Sequence, residues 1–217
     1  MKVILSGQKS FGAATLKMLL NKKGVELAGV FAPVNDKLYK AAENLGLPLQ
    51  ASGNLLANRL PEDCDLLVAA HSHDFVSKAV RNRLNLGAIG YHPSLLPKHR
   101  GRDAIKWTIK MNDLMTGGTV FWLNETVDGG PIAAQSWRWV LPGDTASSLW
   151  ERELFTMGIR LFSKVIDDIL DGQLIMIEQD QELATWEPAL SDVPRLYRPE
   201  LLQIGTLPEG YRVLKNI

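Results

Sequence analysis

Short apolar runs alternate with helix-forming stretches through roughly the first hundred residues of this chain. The apolar runs predict β-strands over residues 3–6, 26–31, 65–70 and 87–91. Helical spacing or helix-forming composition predicts helices over residues 11–23, 37–45 and 76–84. Alternation of this kind is typical of βαβ units, which build a parallel sheet with right-handed crossovers.

Three polar loops follow predicted strands, at residues 7–12, 71–74 and 91–100. In open parallel sheets, ligands bind in the crevice beyond the carboxyl ends of the strands. We therefore expect these loops to lie at one edge of the sheet and to border a ligand-binding cleft.

The pattern changes in the second half of the chain, where two stretches rich in Thr, Val, Trp and Phe predict an antiparallel β-ribbon over residues 117–124 and 132–140. The intervening residues, 125–131, have turn composition and carry Asp128. The predicted turn therefore holds a carboxylate at the tip of the ribbon.

A long amphipathic helix is predicted to follow the ribbon. Asp144 offers an N-cap and Gly172 a stop, so the helix should reach about Leu170. Its apolar positions recur every three or four residues and form one core-facing stripe: Trp150, Leu154, Met157, Leu161, Val165 and Ile169. The predicted fold class is α/β: a Rossmann-like, mostly parallel twisted sheet with flanking helices, an antiparallel β-ribbon and one long C-terminal helix.

The composition of the chain limits the classes of partner that we expect it to bind. The 217 residues carry 24 basic and 24 acidic side chains, and the pI near 6.9 gives no electrostatic footprint for nucleic acid. The chain has no long apolar run for a membrane span, its apolar N-terminal segment is too short for a signal peptide, and its single cysteine excludes an internal disulfide. We expect a cytoplasmic chain without nucleic-acid or membrane partners.

Several polar loops offer weaker candidates for chemistry. His71 and His73, with Asp74, could bind a metal, but a zinc site needs three or four placed ligands, so a polar loop is favoured and no metal is expected. Residues 7–12 lack the P-loop and dinucleotide-binding patterns, so a tight strand-to-helix turn is favoured over an anion site. The basic residues 98–102 fit a solvated loop and contact with an anionic cosubstrate equally well.

His92 and Asp128 are the stronger candidates. His92 ends a predicted buried strand and opens a loop with two prolines, which would hold the imidazole rigidly. Such an imidazole can donate to a developing oxyanion, and a carboxylate can orient it. Spacing along the sequence does not establish that the two residues meet.

Taken together, these motifs resemble the folate-dependent formyltransferase family. The similarity covers roughly residues 1–180 and is most specific at His-Pro-Ser-Leu-Leu-Pro over 92–97, Arg-Gly at 100–101 and Val-Asp-Gly-Gly-Pro over 127–131. Within the family, the chain is most similar to the N-terminal hydrolase domains of 10-formyltetrahydrofolate dehydrogenases. Those domains share Gly-Gln-x-x-Phe-Gly over 7–12, Tyr at 91, His-Arg-Gly over 99–101 and Ala-Ile-x-Trp-Thr over 104–108.

The resemblance implies the formyltransferase fold, 10-formyltetrahydrofolate as the formyl donor, and no metal. It assigns the catalytic roles to His92 and Asp128. The pterin would lie against the loop after the 65–70 strand and the loop around Asp128, within a binding set of His71, His73, Phe75, Tyr91, Val127 and Gly129. The acceptor would meet Lys9, Ser10, Ser94 and Arg100.

One departure from the family pattern concerns the reaction. Transferases of the family carry an asparagine two residues before the histidine, where this chain has Gly90, and losing one oxyanion donor typically costs about 10² to 10³ in rate. The hydrolase domains also lack the asparagine. We expect formyl transfer to a small amine, with hydrolysis that releases formate as the alternative and a weakly active folate-binding protein as a third possibility.

The domain organisation follows from the same comparison. We expect a formyltransferase-like catalytic domain over residues 1–179 and an extended tail over 180–217, interrupted by prolines at 188, 194, 199 and 208, without the β-barrel domain that continues some family members. Six tryptophans, several of them in the predicted ribbon and long helix, offer an interface, so a homodimer is a possible assembly.

Overall fold

The structure, a computed structural model, describes residues 1–190 and is built on one seven-stranded sheet. The strands are β1 (Lys2–Gly7), β2 (Glu26–Ala32), β3 (Leu49–Ala51), β4 (Leu66–Ala70), β5 (Gly87–His92), β6 (Met115–Trp122) and β7 (Ile132–Trp139). Their order is β3-β2-β1-β4-β5-β6-β7. The first five strands are parallel, and β6 and β7 add an antiparallel ribbon beside β5.

Helices cover both faces of the sheet. They are α1 (Lys9–Leu20), α2 (Lys37–Asn44), α3 (Lys78–Arg81), α4 (Ala104–Lys110), α5 (Ala146–Leu149) and α6 (Phe155–Leu170). On one face, α1, α2 and α6 enclose the larger core, which includes Leu5, Val68 and Phe162. On the other face, a smaller core forms around Phe31, Leu67 and Val80.

The predicted fold class is confirmed, and the strongly patterned elements lie within a few residues of their predicted bounds. Two short elements were not predicted: β3, a half-buried edge strand, and α4, whose preceding residue Asp103 has φ 61° and makes no side-chain cap. The helix predicted over residues 76–84 is reduced to the four residues of α3, capped by Ser77.

The long helix runs as α5, a π-helical turn (Trp150–Leu154) and α6. Its N-cap is Thr145, in a capping box with Ser148. The prediction of Asp144 as N-cap is therefore wrong: its carboxylate instead accepts from the Leu141 amide and pairs with Arg152. The predicted stop is confirmed, because Gly172 has φ 77° and its N–H donates to the Ile169 carbonyl.

Residues 177–190, here named the clasp segment, run back along the edge of the sheet that carries the loops after β5 and β6. Ile177 pairs with Ile132, and Trp186 forms a parallel bridge with Arg100. The segment contains one short 3₁₀ turn (Gln181–Leu183). The rest of the predicted tail, with the prolines at 194, 199 and 208, lies outside the described residues. Within residues 1–190, no helix is long and apolar enough to cross a membrane.

Candidate active site

His92 is the last residue of β5, at the carboxyl edge of the parallel strands. The preceding residue, Tyr91, points into the larger core, where it packs against Phe11. Since successive strand residues face opposite sides of a sheet, His92 points away from that core. Its ring is buried, and Nε2 donates to the carbonyl oxygen of His99, 2.7 Å away.

Asp128 lies in the loop that joins β6 to β7 and has a left-handed backbone, with φ 49°. This loop is tight, since a Cβ on Gly130 would collide with the Trp122 carbonyl oxygen. Asp128 Oδ2 accepts from the Gly101 N–H at 2.8 Å and lies 3.6 Å from His92 Nδ1. The fold therefore brings together the two residues that the sequence singled out.

The hydrogen bond to His99 defines the roles of the two ring nitrogens of His92. A carbonyl oxygen only accepts, so Nε2 carries a proton and the neutral ring leaves Nδ1 unprotonated. Nδ1 is also the nitrogen that faces Asp128. Two groups that can each accept a proton, Nδ1 and the carboxylate, therefore face each other here and suit proton transfer.

The loop after β4 borders the same edge of the sheet. Asp74 stabilises this loop, because its carboxylate accepts hydrogen bonds from the Ser6 hydroxyl and the Gly53 N–H. The pKa of His71 lies below its ordinary value, first because the ring is desolvated and second because Lys9 and His73 are close. His71 is therefore uncharged at neutral pH.

Two exposed apolar side chains stand on facing loops. Phe75, after β4, is 83% exposed, and Val127, beside Asp128, is 61% exposed. Arg81 joins the two loops, since its guanidinium donates to the Val76 carbonyl and to the Glu125 carboxylate. The loops can thus offer apolar surface to a flat ring next to Asp128.

Residues 39–166 match the family model described as formyl transferase. The chain belongs to the formyl transferase family. Among its relatives is the cytosolic 10-formyltetrahydrofolate dehydrogenase of Xenopus laevis, 34% identical over 204 residues. That alignment covers 87% of this chain, but the chain spans only 22% of that relative's length.

Solved formyl transferase structures share the fold. Glycinamide ribonucleotide transformylase 1 from Symbiobacterium toebii superposes with a TM-score of 0.71 at 21% identity, covering 81% of this chain and 90% of that one. An N-formyltransferase from Helicobacter canadensis, solved with folinic acid and dTDP-3-aminofucose, gives a TM-score of 0.72 at 19% identity, covering 87% and 71%. At these identities the likeness establishes the fold alone.

At Gly90, where the resemblance places an asparagine in the transferases of the family, the surroundings are apolar. A Cβ added there would lie 3.1 Å from Leu123 Cδ2 and 3.5 Å from Phe121 Cε1. Leu123 and Phe121 therefore face the position where the family's amide would begin. The Cβ alone would require Leu123 to shift by a few tenths of an ångström.

Not every predicted site residue faces the cleft. The Tyr91 hydroxyl donates to the Leu154 carbonyl, and deep burial raises the Tyr91 pKa above its usual range. Ser94 is fully buried and donates to the Lys98 carbonyl. These two side chains hold the β5 loop in place and are not open to a ligand.

Arg100 was expected either in solvent or on an anionic ligand. It is buried, however, and its guanidinium donates to the side-chain oxygens of Gln179 and Gln181. Lys9 and Ser10, at the start of α1, are exposed, and Lys37 Nζ donates to the Ser10 hydroxyl at 3.0 Å.

Sequence reasoning missed the polar residues that connect the clasp segment to the site. Gln179 Nε2 donates to the carbonyl oxygens of Asp128 and Gly130, at 2.8 and 2.7 Å. His99 lies between the carboxylates of Asp113 and Glu187. No spacing rule predicts these contacts, because the partners are far apart in sequence. Among the described residues, no cluster of three metal-ligating side chains is present.

Proposed function

We propose that this formyl transferase removes the formyl group of 10-formyltetrahydrofolate and passes it to a small amine, with His92 and Asp128 as its catalytic residues. The observation that carries the proposal is the 3.6 Å approach of His92 Nδ1 to Asp128 Oδ2 at the edge of the sheet. The relatives named 10-formyltetrahydrofolate dehydrogenase and the structural neighbour solved with folinic acid support this donor.

The pterin of the donor would bind between the loops after β4 and β6. Phe75 and Val127 supply exposed apolar surface. The resemblance adds Gly129, which is buried against Thr126 and contributes to the shape of the loop. His71 and His73 complete this binding set, His71 as an uncharged ring. We leave Tyr91 out of it, because the Tyr91 side chain faces the core.

In the proposed mechanism, the nucleophile attacks the formyl carbon and the carbonyl oxygen becomes an oxyanion. His92 stabilises this oxyanion when Nδ1 takes up a second ring proton and donates it, while Nε2 keeps its own proton on the His99 carbonyl. Asp128 accepts the proton lost by the nucleophile, directly or through water. The bond from the formyl carbon to N10 then breaks, N10 takes up the proton that Asp128 accepted, and tetrahydrofolate leaves.

The amine acceptor would bind near the start of α1, where basic side chains lie. Lys9, Ser10 and Lys37 surround this helix end, although Asp36 already accepts from the Lys9 amide. Because β4 alone separates β1 from β5, this corner lies about 10 Å from the β5 edge at the usual strand spacing. These features favour an amine with an anionic group at about that distance.

Hydrolysis is the second candidate, and the surroundings of Gly90 favour it. The position of the family's asparagine faces Leu123 and Phe121, with no polar group among the nearest atoms. By resemblance, the hydrolase domains of the dehydrogenases also lack the asparagine. Water would then be the nucleophile, activated by Asp128, and the formyl group would leave as formate.

Incubation with 10-formyltetrahydrofolate tests both candidates. Tetrahydrofolate and formate are measured with no amine, and again with a panel of amino sugars, amino acids and phosphorylated amines. Tetrahydrofolate that forms only with an amine, without formate, supports transfer; formate release without amine supports hydrolysis. Tight donor binding with no product under any condition would contradict both and leave a folate-binding protein. Location in the cytoplasm and a homodimer stay predictions.

A further inference from the structure

His99 is a buried histidine held by carboxylates from two different parts of the chain. Its side chain is only 2% exposed, and Nε2 lies 2.7 Å from Asp113 Oδ2, in the turn between α4 and β6. Nδ1 lies 3.1 Å from Glu187 Oε1, on the clasp segment. The angle of this second contact is too poor for a hydrogen bond, so it is an ion pair by distance alone.

Two carboxylates and one ammonium group surround the His99 side chain. Nε2 faces Asp113 and Nδ1 faces Glu187. Lys98 Nζ also binds Asp113, at 2.6 Å. Acidic groups from two parts of the chain thus hold the ring from both sides, in a buried site where an unpaired charge would be costly.

The backbone of His99 contacts His92 directly. Its carbonyl oxygen accepts from His92 Nε2 at 2.7 Å, and its N–H donates to the Thr185 hydroxyl on the clasp segment. His99 has φ 58°, a left-handed conformation that a non-glycine residue adopts at some cost. The two carboxylates therefore anchor a residue whose strained backbone aims a carbonyl at the proposed catalytic ring.

We propose that His99, clamped between Asp113 and Glu187, is a positioning residue that keeps the proton of neutral His92 on Nε2 and its Nδ1 toward Asp128. This inference rests on the proposed function for its catalytic consequence. The structural part of the inference does not depend on that function. It says that Glu187, a side chain of the clasp segment, controls which ring nitrogen of neutral His92 carries the proton.

Glu187→Gln is the test variant, because it keeps the shape of the side chain and removes one of the two charges. We expect kcat for release of the formyl group to fall about 10- to 100-fold, the cost of a small misplacement in an active site, while KM for 10-formyltetrahydrofolate stays within about twofold. Glu182→Gln is the matched control, because Glu182 is exposed on the same segment, and it should leave both constants unchanged.

Nitrogen NMR of ¹⁵N-histidine-labelled protein gives a readout that does not depend on activity. We expect a protonated Nε2 and an unprotonated Nδ1 on neutral His92 in the wild type and the control, and averaging of the two tautomers in Glu187→Gln. If the variant does not fold, Asp113→Asn removes the opposite carboxylate and should give the same averaging.

The outcomes separate the two proposals. Wild-type protein that releases no formyl group contradicts the proposed function, yet a change in the His92 tautomer would still support the positioning role. An unchanged kcat together with an unchanged His92 spectrum in folded Glu187→Gln would overturn it. A kcat that falls only in proportion to the folded fraction, with His92 unaltered, would also overturn it and leave Glu187 a stabilising residue.

Discussion

The side-chain amide of Gln179 donates to the backbone carbonyl of Asp128 at 2.8 Å, although 51 residues separate them. The same side chain accepts two hydrogen bonds from Arg100 through Oε1. One buried glutamine on the clasp segment thus ties the loop after β5 to the loop after β6. These are the loops that carry the proposed catalytic pair.

Removing this tie should weaken the fold. Gln179→Ala would leave two buried carbonyls without their donor and remove two of the three side-chain hydrogen bonds of the Arg100 guanidinium, so we expect the free energy of unfolding to drop by about 2 to 4 kcal/mol. Urea denaturation measures the loss. Gln173→Ala, at an exposed position before the clasp segment, is the control, and an equal loss in both variants would contradict the role assigned to Gln179.

The carboxylate of Asp128 is expected to matter for turnover more than for binding. In Asp128→Asn, the side chain can no longer take the proton of the nucleophile, so kcat should fall by about 10² to 10⁴. Donor binding, followed by quenching of protein fluorescence, should change little. Near wild-type turnover in this variant would show that another group moves the proton. The control is Glu178→Gln, which removes a negative charge at an exposed position outside the site.

Restoring the family's amide at Gly90 should raise the rate. Leu123 obstructs the added side chain, so the variant is Gly90→Asn combined with Leu123→Ala. If the amide reaches the oxyanion, we expect kcat to rise tenfold or more, toward the roughly 10² that one donor supplies. Gly90→Leu with Leu123→Ala has nearly the same shape without the amide, and an equal rise in both would rule out hydrogen bonding as the cause.

The Asp113 carboxylate should make stability depend on pH. Burial raises its pKa, but hydrogen bonds from Lys98 and His99 outweigh this, and the net pKa lies below the ordinary 3.8. A carboxyl group whose pKa is lower in the folded state stabilises the fold at pH values above its ordinary pKa. That stability is lost as the pH falls through the folded-state pKa. Asp113→Asn should therefore unfold more easily than wild type at neutral pH.

Denaturation midpoints measured from about pH 7 down to about pH 2 check this expectation. The gap between wild type and Asp113→Asn should close only at the acidic end of the series. Asp63→Asn, at an exposed position before β4 and therefore near the opposite ends of the parallel strands from His99, should show no such convergence. A gap of constant size would mean that the Asp113 side chain stabilises the fold through its shape rather than its charge.

The sequence predicted those elements whose burial follows a regular period. The stripe from Leu154 to Ile169 marks α6 because helical spacing and burial coincide there. The three residues of β3 are too few to show a period, and the N-cap was placed one residue early because Asp144 and Thr145 are both good caps. Local pattern cannot choose between adjacent caps.

The site was predictable only where a single loop carries the signal. His92 and Asp128 lie in stiff motifs of Pro and Gly, and the resemblance assigned their roles. Gln179, His99 and Glu187 gave no signal, because what each does depends on a partner brought close only by the complete fold. The surroundings of Gly90 likewise depend on Leu123, a residue of another part of the sheet edge.

The clasp segment also bears on how the protein matures during synthesis. All seven strands precede Ile177 in the chain, and domains generally fold as their N-terminal parts emerge. The sheet can therefore assemble while Asp128 and His99 still lack Gln179 and Glu187. A nascent chain halted before the clasp would carry every strand of the sheet but none of the contacts that Gln179 and Glu187 make with Asp128 and His99, so the proposed catalytic pair would be completed after the sheet.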